Sequence, residues 1–275
     1  MRRKLGATLG LTLAAAGCFP AEWGADAILH PWRRPLTAIS AQHDEVAFES
    51  DGLKLKGWLF HGRGPRRGLI VSLHGHADNR RGGEGLAQRF GPKGYDVLAY
   101  DSRANGESEG VNCTYGYSEK GDLVHALDAI GANRAILFGS SLGAAVALQA
   151  APIEPRVVGV IAQSPFADLD SIIDERAPWF ATRGEVEAAK RLAEERAHFR
   201  IAEASPLLAA PLIHVPVLLI HGAADRETRP VNSERIFKAL NSPRQLLLVP
   251  GAGHDDVLGR EEVWQEIESF VRSLD

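Results

Sequence analysis

A serine hydroxyl is a poor nucleophile at neutral pH; it needs a base within hydrogen-bond reach and a group that orients the base. Candidates for all three roles occur in this chain where a fold could gather them. The nucleophile candidate lies in Gly139-Ser140-Ser141-Leu142-Gly143, directly after the apolar run Ala135 to Phe138 and before an alanine-rich stretch. That order predicts a strand, a sharp turn and a helix. A nucleophile on such a turn takes a strained backbone conformation and crowds the residues two before and two after it. Around Ser141 both are glycine, Gly139 and Gly143, whereas Ser140 would put Phe138 and Leu142 there. Ser141 is therefore the expected nucleophile.

Among ten histidines, His254 is the expected base. It ends Val249-Pro250-Gly251-Ala252-Gly253-His254, a glycine-rich loop at the carboxyl end of the last apolar run, with a helix following. His221 and His74 each end a strand within the sheet edge and read as hydrogen-bonded structural histidines. The expected orienting carboxylate is Asp225, just past the run Val217 to Ile220, and Asp168 is the alternative. Asp255 and Asp256 lie too near His254 in sequence to orient its ring and read as caps of the following segment. Charge developing on a carbonyl oxygen needs preorganised donors. The turn His74-Gly75-His76 can supply the His76 amide, opposite the amide of Leu142; no role is expected of the His76 side chain.

These residues need a scaffold. At 275 residues, 45% hydrophobic and 24% charged, the chain can bury one large core, as one domain with an insertion. The net charge of −4 comes without a basic stripe, which excludes nucleic acid as an expected partner. Val46 to Ser50 and Leu53 to Phe60 alternate about Asp51-Gly52, the signal for a two-residue hairpin. From Gly68 onward, continuous apolar runs alternate with helical periods: Leu69 to Leu73, Tyr95 to Tyr100, Ala135 to Phe138, Val157 to Ala162, Val217 to Ile220 and Gln245 to Val249. Such runs need burial on both faces, so the prediction is an α/β fold with an eight-stranded, mostly parallel, doubly wound sheet. Residues 164–214 are too long for a simple crossover and read as a helical cap inserted after the sixth strand. Within it, Glu187/Arg191 and Lys190/Glu194 have helical spacing, and the Trp179-Phe180 pair argues against a mere surface excursion.

Residues 1–17 have the cationic start Arg2-Arg3-Lys4 and an apolar stretch, Leu5 to Ala16, too short to span a bilayer. A secretion signal is expected, with an exported, periplasmic or membrane-anchored product. Cys18, after Ala16-Gly17, resembles the lipid-modified cysteine of bacterial lipoproteins, although Ala15 stands where that family usually has leucine. A lipidated Cys18 would attach the protein to a membrane surface. Residues 18–43, with Pro20, Pro31 and Pro35, read as an extended tether to a domain spanning 44–275. With only Cys18 and Cys113, disulfides cannot be the basis of the fold.

Ser141, Asp225 and His254 occur in that order, with His74-Gly75-His76 upstream and Asp101-Ser102-Arg103-Ala104-Asn105-Gly106-Glu107-Ser108 after the next strand. Over about residues 45 to 274 this resembles the α/β-hydrolase superfamily, and most of all its serine aminopeptidase-like and acylglycerol lipase-like members with a helical cap. The resemblance implies an elbow nucleophile, an acyl-enzyme intermediate and no cofactor; no metal site is expected. Related sequences often have Arg-Gly where this chain has Arg103-Ala104, a departure expected to matter little. The expected activity is hydrolysis of a small-molecule carboxylic ester, with a short to medium acyl group or an aromatic acid. The alternatives are an aminopeptidase, which would turn cap carboxylates such as Asp168, Asp170, Asp174 and Glu175 toward a substrate ammonium, and a non-catalytic binding module.

Overall fold

The computed structural model describes residues 20–275. The expected secretion signal and Cys18 lie outside the described residues. The chain opens with a helix, α1 (Ala21–Leu29), and then the hairpin β1 (Asp44–Ser50) and β2 (Leu53–Phe60). Asp51 and Gly52 turn with φ of 51° and 75° and set Ser50 opposite Leu53, as a two-residue hairpin requires. After it come β3 (Gly68–Leu73), α2 (Gly83–Phe90), β4 (Tyr95–Tyr100), α3 (Glu119–Ala129), β5 (Ala135–Ser140), α4 (Leu142–Ala150) and β6 (Val157–Gln163). The described residues form one eight-stranded sheet in the order β1-β2-β4-β3-β5-β6, completed by β7 (Val217–Gly222) and β8 (Arg244–Val249). Pairing is antiparallel from β1 to β4 and parallel thereafter.

Strand alternation divides the core between two faces. Leu69, Val71, Leu137 and Leu219 join the apolar cluster with α3 and α4; Ile70, Ile136, Phe138 and Ile220 join a second cluster with Leu86 and Phe90 of α2 and the closing helix α9. That helix, Glu261–Ser273, comes after α5 (Leu169–Arg176), α6 (Arg183–Ala197), α7 (Pro206–Ala209) and α8 (Val231–Ala239). Every residue of α4 is buried, and its many alanines let it lie close under the sheet. In the loop after β4, Asp101 accepts hydrogen bonds from the amides of Arg80 at 2.6 Å and Glu107 at 2.8 Å, and a Cβ at Gly106 would fall within 2.3 Å of its carboxylate. Ala104 has φ of 64° in this loop, so replacing glycine there costs about 1 kcal/mol of left-handed strain.

The cap consists of α5, α6 and α7 between β6 and β7. Thr182 and Glu185 form a capping box at the start of α6. The expected pairing of Lys190 with Glu194 does not form. The Lys190 side chain is almost fully covered and instead reaches Asp170 at 2.7 Å and Asp174 at 2.6 Å on α5, besides Glu187 at 3.2 Å. Three carboxylates around one desolvated ammonium tie the two cap helices together, and Glu194 is free to accept from the Ile201 amide at 2.8 Å. The Trp179-Phe180 pair is not the cap's buried contact either. Trp179 is 94% exposed and Phe180 52% exposed, on the link between α5 and α6.

The largest departure from the sequence-based expectation of a tether over 18–43 is in its described part, residues 20–43. From Ala21 to Leu29 the chain is helical, and Ala25, Ile28 and Leu29 are buried, with α1 lying along α6. The Cys113 amide donates to the Leu29 carbonyl at 2.8 Å and the Tyr115 hydroxyl to that of Ile28 at 2.8 Å. Beyond α1, residues 30–43 form neither helix nor strand, and Arg33 donates to the Ser108 carbonyl at 2.6 Å and fastens the segment to the loop after β4. The prolines report conformation; the packing comes from the spacing of 25, 28 and 29 on one helical face. Leu29 is fully buried in that contact. Leu29→Ala is therefore expected to lower the unfolding free energy by about 2–4 kcal/mol, read as a fall in the urea midpoint. A midpoint equal to that of the parent would mean α1 is not packed as described.

Candidate active site

Ser141 stands between β5 and α4 with φ of 51° and ψ of −111°, a conformation few side chains adopt. Its flanking glycines are required by contact. A Cβ at Gly139 would fall 2.3 Å from the Gly143 carbonyl oxygen, and one at Gly143 would fall 2.0 Å from that of Leu73. The adjacent serine points elsewhere: the Ser140 hydroxyl donates to Gln163 Oε1 at 2.5 Å on the neighbouring strand. Gln163 in turn donates from Nε2 to the His254 carbonyl at 2.8 Å, and its own carbonyl accepts from the Ser141 amide at 2.8 Å. Gln163 thus ties the nucleophile turn to the histidine loop. Its place at the carboxyl end of β6, where open α/β sites gather, is the signal that could have singled it out.

His254 Nε2 lies 3.0 Å from Ser141 Oγ, and its Nδ1 lies 2.6 Å from Asp225 Oδ2. The structure therefore joins the three expected residues in one line. Asp225 is buried just after β7, where Oδ1 accepts from the amides of Glu227 and Thr228, each at 2.9 Å. Burial alone would raise its pKa, but hydrogen bonds from His221, His254 and the Thr228 amide outweigh burial and hold the carboxyl well below its usual range. For His254 burial pulls the pKa down, and the hydrogen bond and charge of Asp225 overcome it, so the net shift is upward. The loop can approach this closely because Gly222 ends β7: a Cβ there would fall 2.2 Å from the Gly253 carbonyl oxygen.

The other candidates are placed elsewhere. Asp168 caps α5, with Oδ1 accepting from the Ser171 amide at 2.8 Å and Oδ2 paired with Arg235 at 2.8 Å. It does not touch His254. His221 is fully buried, with Nδ1 2.6 Å from the Ser233 hydroxyl and Nε2 2.7 Å from the Thr228 carbonyl. Its Nε2 also lies 3.3 Å from Asp225, so this structural histidine borders the acid. His74 accepts the Ser102 amide at Nε2, 3.0 Å away, and donates from Nδ1 to the Gly75 carbonyl at 2.7 Å. Burial, the largest influence on it, pushes its pKa down, which suits a neutral acceptor. Asp256 accepts from the Gly253 amide at 2.5 Å, so it fastens the loop before His254 rather than capping the segment after it.

The turn carrying His76 passes beside the nucleophile: a Cβ on Gly75 would be 3.7 Å from that of Ser141. Leu142 opens α4, so its amide has no acceptor within the helix. The His76 ring stacks on Tyr115 with centroids 5.8 Å apart. Behind that ring lies a cavity of ≈ 180 Å³ walled by Ile28 of α1, Ile172 and Ile173 of α5, Val186 of α6, and Arg176.

Comparison with known proteins agrees with this architecture. The model of the alpha/beta hydrolase family matches residues 59–266. An uncharacterized protein of Mycobacterium tuberculosis is 30% identical over 229 residues, covering 80% of this chain and 75% of its own length. The uncharacterized protein YfhR of Escherichia coli is 27% identical over 218 residues, covering 75% of this chain and 71% of its own. Among solved structures, the Pyrococcus furiosus esterase Pf2001 superposes with a TM-score of 0.71 at 22% identity, over 89% of this chain and 98% of that one. A family match over most of the domain, joined to the sheet order and the strained turn at Ser141, places this chain in the alpha/beta hydrolase family.

Proposed function

We propose that this hydrolase is a serine carboxylesterase acting on esters with short to medium acyl groups or aromatic acids. The observation that carries the reading is the hydrogen-bonded line from Ser141 through His254 to Asp225; the turn that passes Ser141 carries His76, which lines a mostly apolar cavity. His254 Nε2 takes the hydroxyl proton as Ser141 Oγ attacks the ester carbonyl, and Asp225 holds the tautomer and stabilises the imidazolium. The amides of His76 and Leu142 receive the oxyanion. The imidazolium then gives its proton to the departing alcohol, and water activated by the same imidazole frees the acid. No step needs a further group.

The aminopeptidase reading is weaker on the charges. Asp168 pairs with Arg235, Asp170 and Asp174 with Lys190, and Glu175 with Arg229 at 2.8 Å. All four carboxylates that could have held a substrate ammonium are bonded to cations of the chain itself. The binding-module reading leaves unexplained why Ser141 is held in a costly conformation within reach of a base.

A fluorophosphonate probe is expected to modify Ser141 and leave Ser140 unmodified, as read by peptide mapping; label on Ser140, or full labelling of Ser141→Ala, rejects the assignment. The upward shift of His254 sets the sign of the pH profile. Its imidazole must be neutral to accept a proton, so kcat/KM should fall as pH drops, with a midpoint above the ordinary histidine value of 6.5. Asp225→Asn should cost roughly a thousandfold or more in kcat and move that midpoint down, whereas Asp168→Asn should stay within a few-fold. The reverse ranking would make Asp168 the orienting acid. Finally, nitrophenyl esters of increasing acyl length should be turned over with higher kcat/KM than amino-acid nitroanilides. Faster cleavage of the nitroanilides, abolished when their amine is acetylated, would establish the peptidase reading instead.

A further inference from the structure

The cavity that His76 lines is mostly apolar: the Tyr115 hydroxyl there is spent on the Ile28 carbonyl, which leaves His76 and the solvent-exposed Arg176 as the polar groups without a charged partner. His76 Nε2 is buried with no hydrogen-bond partner among the described residues. Arg176, the last residue of α5, lines the same cavity and makes one hydrogen bond, from Nη2 to the Thr228 hydroxyl at 3.1 Å; no carboxylate of the described residues lies within ion-pair distance of it. Other cations around the cap differ in this respect: Lys190 on α6, Arg229 in the loop after β7 and Arg235 on α8 are each paired with cap carboxylates. Thr228 lies in the acid loop, its amide bonded to Asp225, so Arg176 bridges from α5 to the catalytic edge of the sheet. Its charge reaches the ring of His76: burial first, then Arg176, then His74 hold that imidazole down to about 4, and the ring is neutral at working pH. A neutral ring can carry its proton on Nε2 and donate it.

A cation and a neutral donor in an otherwise apolar pocket are complementary to an anionic oxygen group. A planar guanidinium suits a carboxylate in particular, because two of its N–H groups can meet both oxygens. An orphaned buried donor beside it is then accounted for by the substrate rather than by the protein. We infer that Arg176 and His76 Nε2 form a subsite for a carboxylate on the substrate, so that the preferred esters are half-esters whose acyl chain ends in a carboxylate. The inference rests on the esterase reading and narrows it. The cost of desolvating the carboxylate is offset there by the guanidinium and the imidazole N–H.

The test compares para-nitrophenyl hexanoate with mono-para-nitrophenyl adipate, equal in acyl length and different in the terminal carboxylate. The parent enzyme is expected to prefer the adipate by about tenfold or more in kcat/KM, mainly through KM. Arg176→Gln should bring that ratio close to one, and Arg176→Lys should restore part of it. His76→Phe keeps a ring against Tyr115 and should lower the ratio by about threefold. Arg272→Gln, on the far helix α9, should keep the parent ratio. Fluorophosphonate labelling of Ser141 checks that each variant is folded at the site. If Ser141 is labelled and hexanoate is hydrolysed but the parent shows no preference, or Arg176→Gln keeps the preference, the subsite is overturned and the esterase reading stands. If Ser141 is not labelled and neither ester is hydrolysed, the esterase reading falls and the subsite with it.

Discussion

The structure depends first on a lack of room. α4 begins so close to β3 that a single carbon added to Gly143 would sit 2.0 Å from the Leu73 carbonyl oxygen, and the same carbon on Gly139 would strike Gly143. This approach forces the chain to reverse within two residues, and that reversal puts Ser141 into its positive-φ conformation. The cost of the strain, on the order of 1–3 kcal/mol, is met by the buried, alanine-rich α4 and by the parallel pairing of β5 with β3 and β6. The residues proposed for catalysis are placed relative to this fixed point: His254 and Asp225 arrive on loops from β8 and β7, and Gly222 gives those loops a second close approach.

Charge is handled in one consistent way across the molecule. Buried ions are matched inside the chain: Arg80 with Asp101, Arg103 with Asp122, Lys190 with three carboxylates. An unpaired buried charge would cost several kcal/mol, so these clusters are structural fasteners before they are anything else. Two buried carboxylates are matched by hydrogen bonds rather than by a lysine or arginine: Glu119 takes the amides of Thr114 and Gly116 and the Thr114 hydroxyl, and Asp225 takes two amides on one oxygen and two histidines on the other. That arrangement, with His221, His254 and the Thr228 amide all favouring the charged form, holds Asp225 ionised well below the usual carboxylate range.

Much of this architecture is legible in the residues. The hairpin turn at Asp51-Gly52, the parallel runs and the glycine frame of Ser141 are local patterns with one physical solution each, and the structure follows them. Local pattern also places His254 and Asp225 on loops at the right edge of the sheet. It fails where the partner is distant in sequence. Lys190 has a carboxylate four residues on, yet binds across to α5, because a desolvated ammonium gains more from several carboxylates than from one, and Glu194 is engaged by the Ile201 amide. Trp179 is exposed despite its size, and surface aromatics are ordinary when they stand in a short link. In residues 21–29 the prolines nearby mask a helical period that Ala25, Ile28 and Leu29 carry. The roles of Gln163 and Arg176 depend on which strands and helices become neighbours, which no local window contains.

The position of α1 bears on how specificity could be exchanged within this fold. Ile28 stands in the same cavity wall as Ile172 and Val186, so the wall joins two stretches separated in sequence by six of the sheet's eight strands. A cap insertion moved alone between relatives would carry only part of the pocket, and would set α6 against a surface lacking its partner helix. The leading segment and the insertion therefore shape the pocket together, and a change of shape in one without the other would open the wall to water.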